Sequence, residues 1–197
     1  MMKPYEGYKA ERSGGSYPML PVGAYVCEIK NVKIVGDEPD QQLILRLDIV
    51  EGEWASYYTN RYNHDAGNYK ANNFHATYKG DFRVQIPDPK NTKREHPEWD
   101  VKAFNNMTYC VEQSNPGYSW NWDEKTLKGR LIGINVRAGT YNGNPYTTIG
   151  KLEPVDDVRR GLCRPMKPKA DSNPPEVAGA AADPSGFMPI ETEDLPF

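Results

Sequence analysis

Leu43, Leu45, Leu47 and Ile49 alternate with Gln42, Ile44, Arg46 and Asp48, and this period of two predicts a half-buried strand over 42–50. Residues 24–35 also read as a strand, but with a difference. Val26, Glu28, Lys30, Val32 and Ile34 alternate with Cys27, Ile29, Asn31, Lys33 and Val35, so neither face is wholly apolar and a bend or bulge is expected midway. The turn chemistry of Gly36-Asp37-Glu38-Pro39-Asp40 makes the two strands a hairpin. A third β segment is expected at 57–62, then loop over 63–78, then a short strand at 80–86 that ends before Pro87 and Pro89. Pro97-Glu98 opens a helix that runs to Ser114, and Asn115-Pro116-Gly117 stops it. Two more strands, at 127–138 and 144–154, flank Gly139-Thr140-Tyr141-Asn142-Gly143, where Asn-Gly signals a tight hairpin.

Short strands with one interrupting helix predict a mainly β fold, an oligonucleotide-binding (OB) type five-stranded barrel with a helix between the third and fourth strands. A β-sandwich with a helical insertion fits the same count. The organisation expected is a loose arm over 1–19, the barrel domain over 20–161, a flexible linker over 162–188 and an acidic tip over 189–197. Pro, Ala, Gly and Asp dominate the linker and cannot bury enough apolar surface to offset the entropy of ordering. Such a linker has an r.m.s. reach of about 30 Å.

Charge divides along the same line. Residues 1–170 hold all 24 Lys and Arg against 21 Asp and Glu, whereas from Asp171 onward there are six acidic side chains and no basic one. A mildly basic body with an acidic tail suits a folded part that meets phosphate. Cys27, Cys110 and Cys163 are widely spaced, which fits a reducing compartment and gives no zinc pattern. No apolar run approaches the length of a membrane span, and no secretory signal opens the chain, so the cytoplasm is the expected location.

Gripping an unpaired strand without sequence choice needs rings for the bases beside cations for the phosphates. The chain has 13 Tyr, 5 Phe and 4 Trp, many outside any apolar periodicity. The segment with Tyr57, Tyr58, Arg61 and Tyr62 interleaves rings with a cation, and Lys70, Phe74, Lys79 and Arg83 continue the pattern. Tyr141 and Tyr146 flank the hairpin expected to overhang the groove, with Arg137 on the strand leading in. On a strand about half of such rings point into the core. No catalytic constellation, cofactor motif or metal spacing stands out, so a binding protein is expected rather than an enzyme. His64, Asp65 and His75 match no established ligand spacing. At the other end, three carboxylates, Glu191, Glu193 and Asp194, run into Leu195, Pro196 and Phe197, the shape of a docking peptide for a basic pocket.

Two resemblances sharpen this. Glu193, Asp194, Leu195, Pro196 and Phe197 resemble the acidic tip of bacterial single-stranded-DNA-binding proteins, which in that family recruits replication and repair partners. Asn115 to Gly133, with its Trp120-Asn121-Trp122, the run Val155-Asp156-Asp157-Val158-Arg159-Arg160-Gly161 and the opening Leu20-Pro21-Val22-Gly23 are similar to phage-encoded single-stranded-DNA-binding proteins of Gram-positive hosts. The resemblance implies a non-enzymatic, non-sequence-specific binder of single-stranded DNA in the host cytoplasm, serving phage replication, recombination or repair through a tip that recruits partner proteins. A dimer or higher assembly is compatible with one small barrel. The rival expectation is an OB adaptor of a recombination or replication complex that binds protein and never touches DNA.

Overall fold

In the computed structural model, which describes residues 17–70, 76–91 and 94–171, the broken alternation of the first strand has a direct cause. Strand β1, Gly23–Val35, pairs antiparallel with β2, Gln42–Ile49, and the register shifts between Ile29 and Asn31. Before this bulge Cys27 and Ile29 oppose Ile49 and Leu47; after it Val32 and Ile34 oppose Leu45 and Leu43. The extra residue swaps which alternate set faces inward, and so the apolar positions change parity along one continuous strand.

Strands β3, Asp81–Gln85, β4, Leu131–Tyr141, and β5, Asn144–Glu153, complete one antiparallel sheet of order β3-β2-β1-β4-β5. β4 and β5 meet at Asn142 and Gly143, whose φ values of 50° and 74° are those of a tight primed turn. Helix α2, Pro97–Ser114, joins β3 to β4 over the span its pattern predicts, and it covers the apolar face of the sheet. Its Phe104, Met107, Cys110 and Val111 pack with Leu43, Leu45, Leu47, Ile49, Ile132, Ile134 and Val136 in one core. A 3-10 turn, Glu124–Leu127, and a short helix α3, Val155–Arg159, flank β4 and β5.

Three expectations change. The segment at 57–62 is not a strand: it opens helix α1, Tyr57–Lys70, which also takes up much of the expected loop. The reason lies outside the segment. Buried Asp48 on β2 accepts hydrogen bonds from the Tyr58 backbone N–H and the Thr59 hydroxyl, so a carboxylate satisfies and charges the first turn of a helix whose Tyr and Thr favour strands. Second, the fold is mainly β as expected, with three helices among the described residues rather than one, but the sheet does not close: β3 and β5 are its two edges. Third, the expected linker is held over its first ten residues. The segment 162–171 runs back beside β4, where the Asn135 amide donates to the Arg164 carbonyl (2.9 Å), the Lys169 N–H to the Ala138 carbonyl (2.8 Å) and the Gly143 N–H to the Asp171 carboxylate (3.0 Å). Likewise Tyr17, near the end of the expected arm, packs on the core that Leu20 enters.

Candidate functional site

Lys79, two residues before β3, and Pro145, Tyr146, Thr147 and Thr148 of β5 line one cleft of about 460 Å³, together with Tyr17, Met19 and Arg61. Each side chain is placed by the fold beneath it. Tyr57 sends its ring into the core at 2 % exposure, and its hydroxyl donates to the Pro18 carbonyl (2.9 Å) while accepting from the Leu20 N–H (3.0 Å) and Arg61 Nη1 (3.2 Å). One hydroxyl therefore ties down both the chain entering β1 and the guanidinium at the cleft. Arg61 Nε lies 3.8 Å from Asp65 and makes no hydrogen bond. Tyr17 rests its ring against Tyr57 and His64, with centroids 5.4 and 5.3 Å away. Tyr146 lies across Gly139, its partner on β4; a Cβ there would stand 2.7 Å from the ring, so only glycine lets the ring lie down.

A second neighbourhood lies on the face of β1, β2 and β3 turned from the core. Arg46 makes a two-pronged ion pair with Asp81 (2.9 and 3.0 Å), and its guanidinium sits 4.6 Å from the Tyr78 ring centroid. Burial pushes the Tyr78 hydroxyl up to about 12, and that hydroxyl donates to the Leu47 carbonyl. Tyr62, 38 % exposed, meets Tyr78 at 5.8 Å. Lys33, Ile44 and Arg83 form one row across the three strands beside this cluster. Ring and cation alternate here, as stacking on unpaired bases beside phosphate requires.

The expected residues thus sort into five groups, with Tyr146 common to the first two. Arg61, Lys79 and Tyr146 meet in the cleft, while Arg137, Tyr141 and Tyr146 share one face of the β4–β5 hairpin, Tyr141 at its tip 54 % exposed. Tyr62 and Arg83 belong to the β1–β3 face. Tyr57 and Tyr58 are core residues at 2 % and 4 % exposure and offer no face for a base; burial pushes the Tyr58 hydroxyl far up. Phe74, the side chain of Lys70 and the whole of 193–197 lie outside the described residues. Arg137 is half-buried, with its side chain and that of Met166 both against Gly150 and its Nε unpartnered. The sequence reading missed Tyr17 and Arg46. Arg46 did carry a signal, as a cation opposite the apolar set of a clean strand; Tyr17 carried none.

Among the described residues no three His, Cys, Asp or Glu side chains gather as metal ligands, and no helix is long and apolar enough to cross a membrane. No protein-family model matches the chain, and no curated protein matches it.

Proposed function

We propose that this protein binds single-stranded DNA without sequence choice and acts by holding rather than transforming its ligand. The observation that carries the reading is the cleft itself, where Arg61 and Lys79 from one side meet Tyr146 and Tyr17 from others around an open space. The strand order β3-β2-β1-β4-β5 with a helix between β3 and β4 supports the reading, since an OB fold sets its strands and helix in that order. OB folds bind oligonucleotides on the face of their second and third strands and beneath the loop joining the fourth and fifth. In this chain those places hold Arg46 and Arg83, and Tyr141 and Tyr146.

Each stacked base contributes about 1–3 kcal/mol by truncation of its ring. Tyr146→Ala is therefore expected to weaken binding of a labelled oligonucleotide about 5- to 150-fold. Fluorescence anisotropy across a salt series, with single-stranded DNA, single-stranded RNA and duplex in parallel, is the test. Single-stranded DNA is expected to bind with steep salt dependence and duplex far more weakly. Equal affinity for duplex and single strand would remove the cleft as the ligand site. The same proposal gives Glu193, Asp194, Leu195, Pro196 and Phe197 the recruitment of replication or recombination proteins, on their sequence alone. Deleting 191–197 is expected to abolish partner capture and leave DNA affinity unchanged or slightly raised; capture that survives the deletion removes that role.

One observation favours the adaptor reading instead. Trp99 and Trp122 are 61 % and 76 % exposed, and tryptophan is among the commonest anchors of protein interfaces. Trp122 stacks on Phe104 at 5.9 Å, with its backbone at φ 66°. Retention of partner capture by a protein that shifts no oligonucleotide at low salt would select this reading.

A further inference from the structure

The end of α3 and the segment after it are the most basic stretch of the described chain. Arg159, Arg160, Arg164, Lys167 and Lys169 occur within eleven residues that hold no Asp or Glu. Arg159 pairs with Glu51 and Asp156. Among the described residues no ion pair engages the other four, and all four are exposed. A free basic linker would spread such charges through solvent, but here the backbone is fixed. Asn135, itself 2 % exposed, holds the Arg164 carbonyl; Lys169 bridges to Gly139 on the flank of β4 that β1, which begins at Gly23 opposite Val136, leaves open; and Asp171 closes the strap on the Gly143 N–H. Between these anchors Met166 seats on Gly150, where a Cβ would stand 2.7 Å from its sulfur. Gly150 is the extra residue at the register shift of the β4–β5 ladder, so the bulge supplies the seat.

The row Lys169, Gly139, Tyr146 connects this strap to the cleft. Lys169 neighbours Gly139 in a parallel bridge, and Gly139 pairs with Tyr146 across the hairpin. With strands about 4.8 Å apart, the strap backbone lies only about 10 Å from that of a cleft residue. We infer that Arg160, Arg164, Lys167 and Lys169 form a second phosphate track, which carries a single strand leaving the cleft back along β4 toward α3. This rests on the reading of the cleft as a single-strand site and extends it: the cleft takes the bases, and the strap takes the phosphodiester backbone of the nucleotides beyond.

Phosphate contacts on a single strand each contribute about 0.7 to the slope of log affinity against log salt. Neutralising the four side chains together, as R160Q, R164Q, K167Q and K169Q in the full chain, is expected to lower that slope by up to about 3 on an oligonucleotide of about 20 nucleotides. On one of about 6 nucleotides, which fills only the cleft, the slope stays as it was. Neutralising the exposed Lys90, Lys102, Lys125 and Lys128 instead is the control for net charge, and it leaves both slopes in place. Gly150→Ala keeps every charge but unseats Met166, and it is expected to lose part of the same long-oligonucleotide slope. Equal slopes for the unaltered and four-fold-neutralised proteins on the longer strand, with binding intact, overturn the track and leave the cleft standing. No binding of either oligonucleotide by the unaltered protein overturns both.

Discussion

Replacing Tyr57 by Phe isolates one hydroxyl on which the entry to β1 and one wall of the cleft depend. In the folded protein this oxygen has its full complement of partners, donating to Pro18 and accepting from Leu20 and Arg61. Phe keeps the ring contacts with Trp54, Tyr58 and Tyr17, whose centroids lie 5.3 to 5.7 Å away. The loss is therefore purely polar. Leu20 is 1 % exposed, so its N–H is left buried and unpaired, which costs about 1–3 kcal/mol. The Pro18 carbonyl and the half-exposed Arg61 guanidinium recover water, and each loses only about 0.5–1 kcal/mol. The expected total is about 2–5 kcal/mol, read by urea denaturation at neutral pH. In a chain of this size that is a fall in Tm of roughly 4 to 20 °C. Because the ring faces the core and not the cleft, and Arg61 keeps its ion pair with Asp65 when the hydroxyl is gone, affinity for single-stranded DNA, measured well below the midpoint, is expected to stay within about threefold. A stability change below about 0.5 kcal/mol would refute the hydroxyl as the tie. A large affinity loss in a protein of unchanged stability would return Tyr57 to the ligand surface.

Two further outcomes follow from the same core. Asp48→Ala removes a buried carboxylate that accepts from the Ile49 and Tyr58 N–H groups and the Thr59 hydroxyl; a loss of about 3 kcal/mol in urea is expected, with reduced helical circular dichroism from α1, and an unchanged spectrum and midpoint would sink the capping argument. Burial, with Asp48 beside it, holds the Cys27 thiol well above its ordinary 9.0, burial lifts Cys110 to about 12, and burial lifts Tyr78 from 10.0 to about 12. These groups are neutral when protonated, and the unfolded chain ionises first, so their contribution is complete below about pH 9 and is lost as pH climbs toward 12. The urea midpoint is expected to be flat from pH 7 to 9 and to fall steeply by pH 10.5, and a flat midpoint across that range would contradict the burial of these groups.

What the sequence disclosed and what it hid separate by the range of the interactions involved. β2, β3, α2 and the β4–β5 hairpin were legible because alternation, Pro at a helix start and Asn-Gly at a turn act within a few residues. The bulge in β1 was legible for the same reason, as a change of parity. α1 was not, because the carboxylate that favours its first turn stands nine to eleven residues away on a strand, and nothing in Tyr57, Tyr58, Thr59 and Asn60 announces it. The strap was hidden in the same way. Pro165, Pro168 and the cations read as a linker, and only Asn135, Gly139, Gly143 and Gly150, 16 to 30 residues before the residues they hold, give the segment a seat. The open sheet edge follows from α1 too, since the residues expected to supply the third strand lie in a helix and β3 begins only at Asp81.

That Arg61 lines the cleft although its segment is a helix and not the expected strand has a geometric cause. A separation of four residues is a multiple of the strand period and nearly one full helical turn, so Tyr57 with Arg61, and Tyr58 with Tyr62, share a face under either assignment. The pairs are the same, but their separation is not. Four residues advance a strand by about 13 Å and a helix by about 6 Å. At strand spacing the guanidinium of Arg61 would have to fold back far along the chain to meet the Tyr57 hydroxyl; at helical spacing it does so at 3.2 Å, with Tyr57 sunk in the core and Arg61 one turn nearer the rim. The helix therefore turns what looked like a row of equivalent contacts into a foundation and a projecting cation. By the same step Tyr58 becomes the buried base from which Tyr62 reaches Tyr78 and the Arg46 cluster.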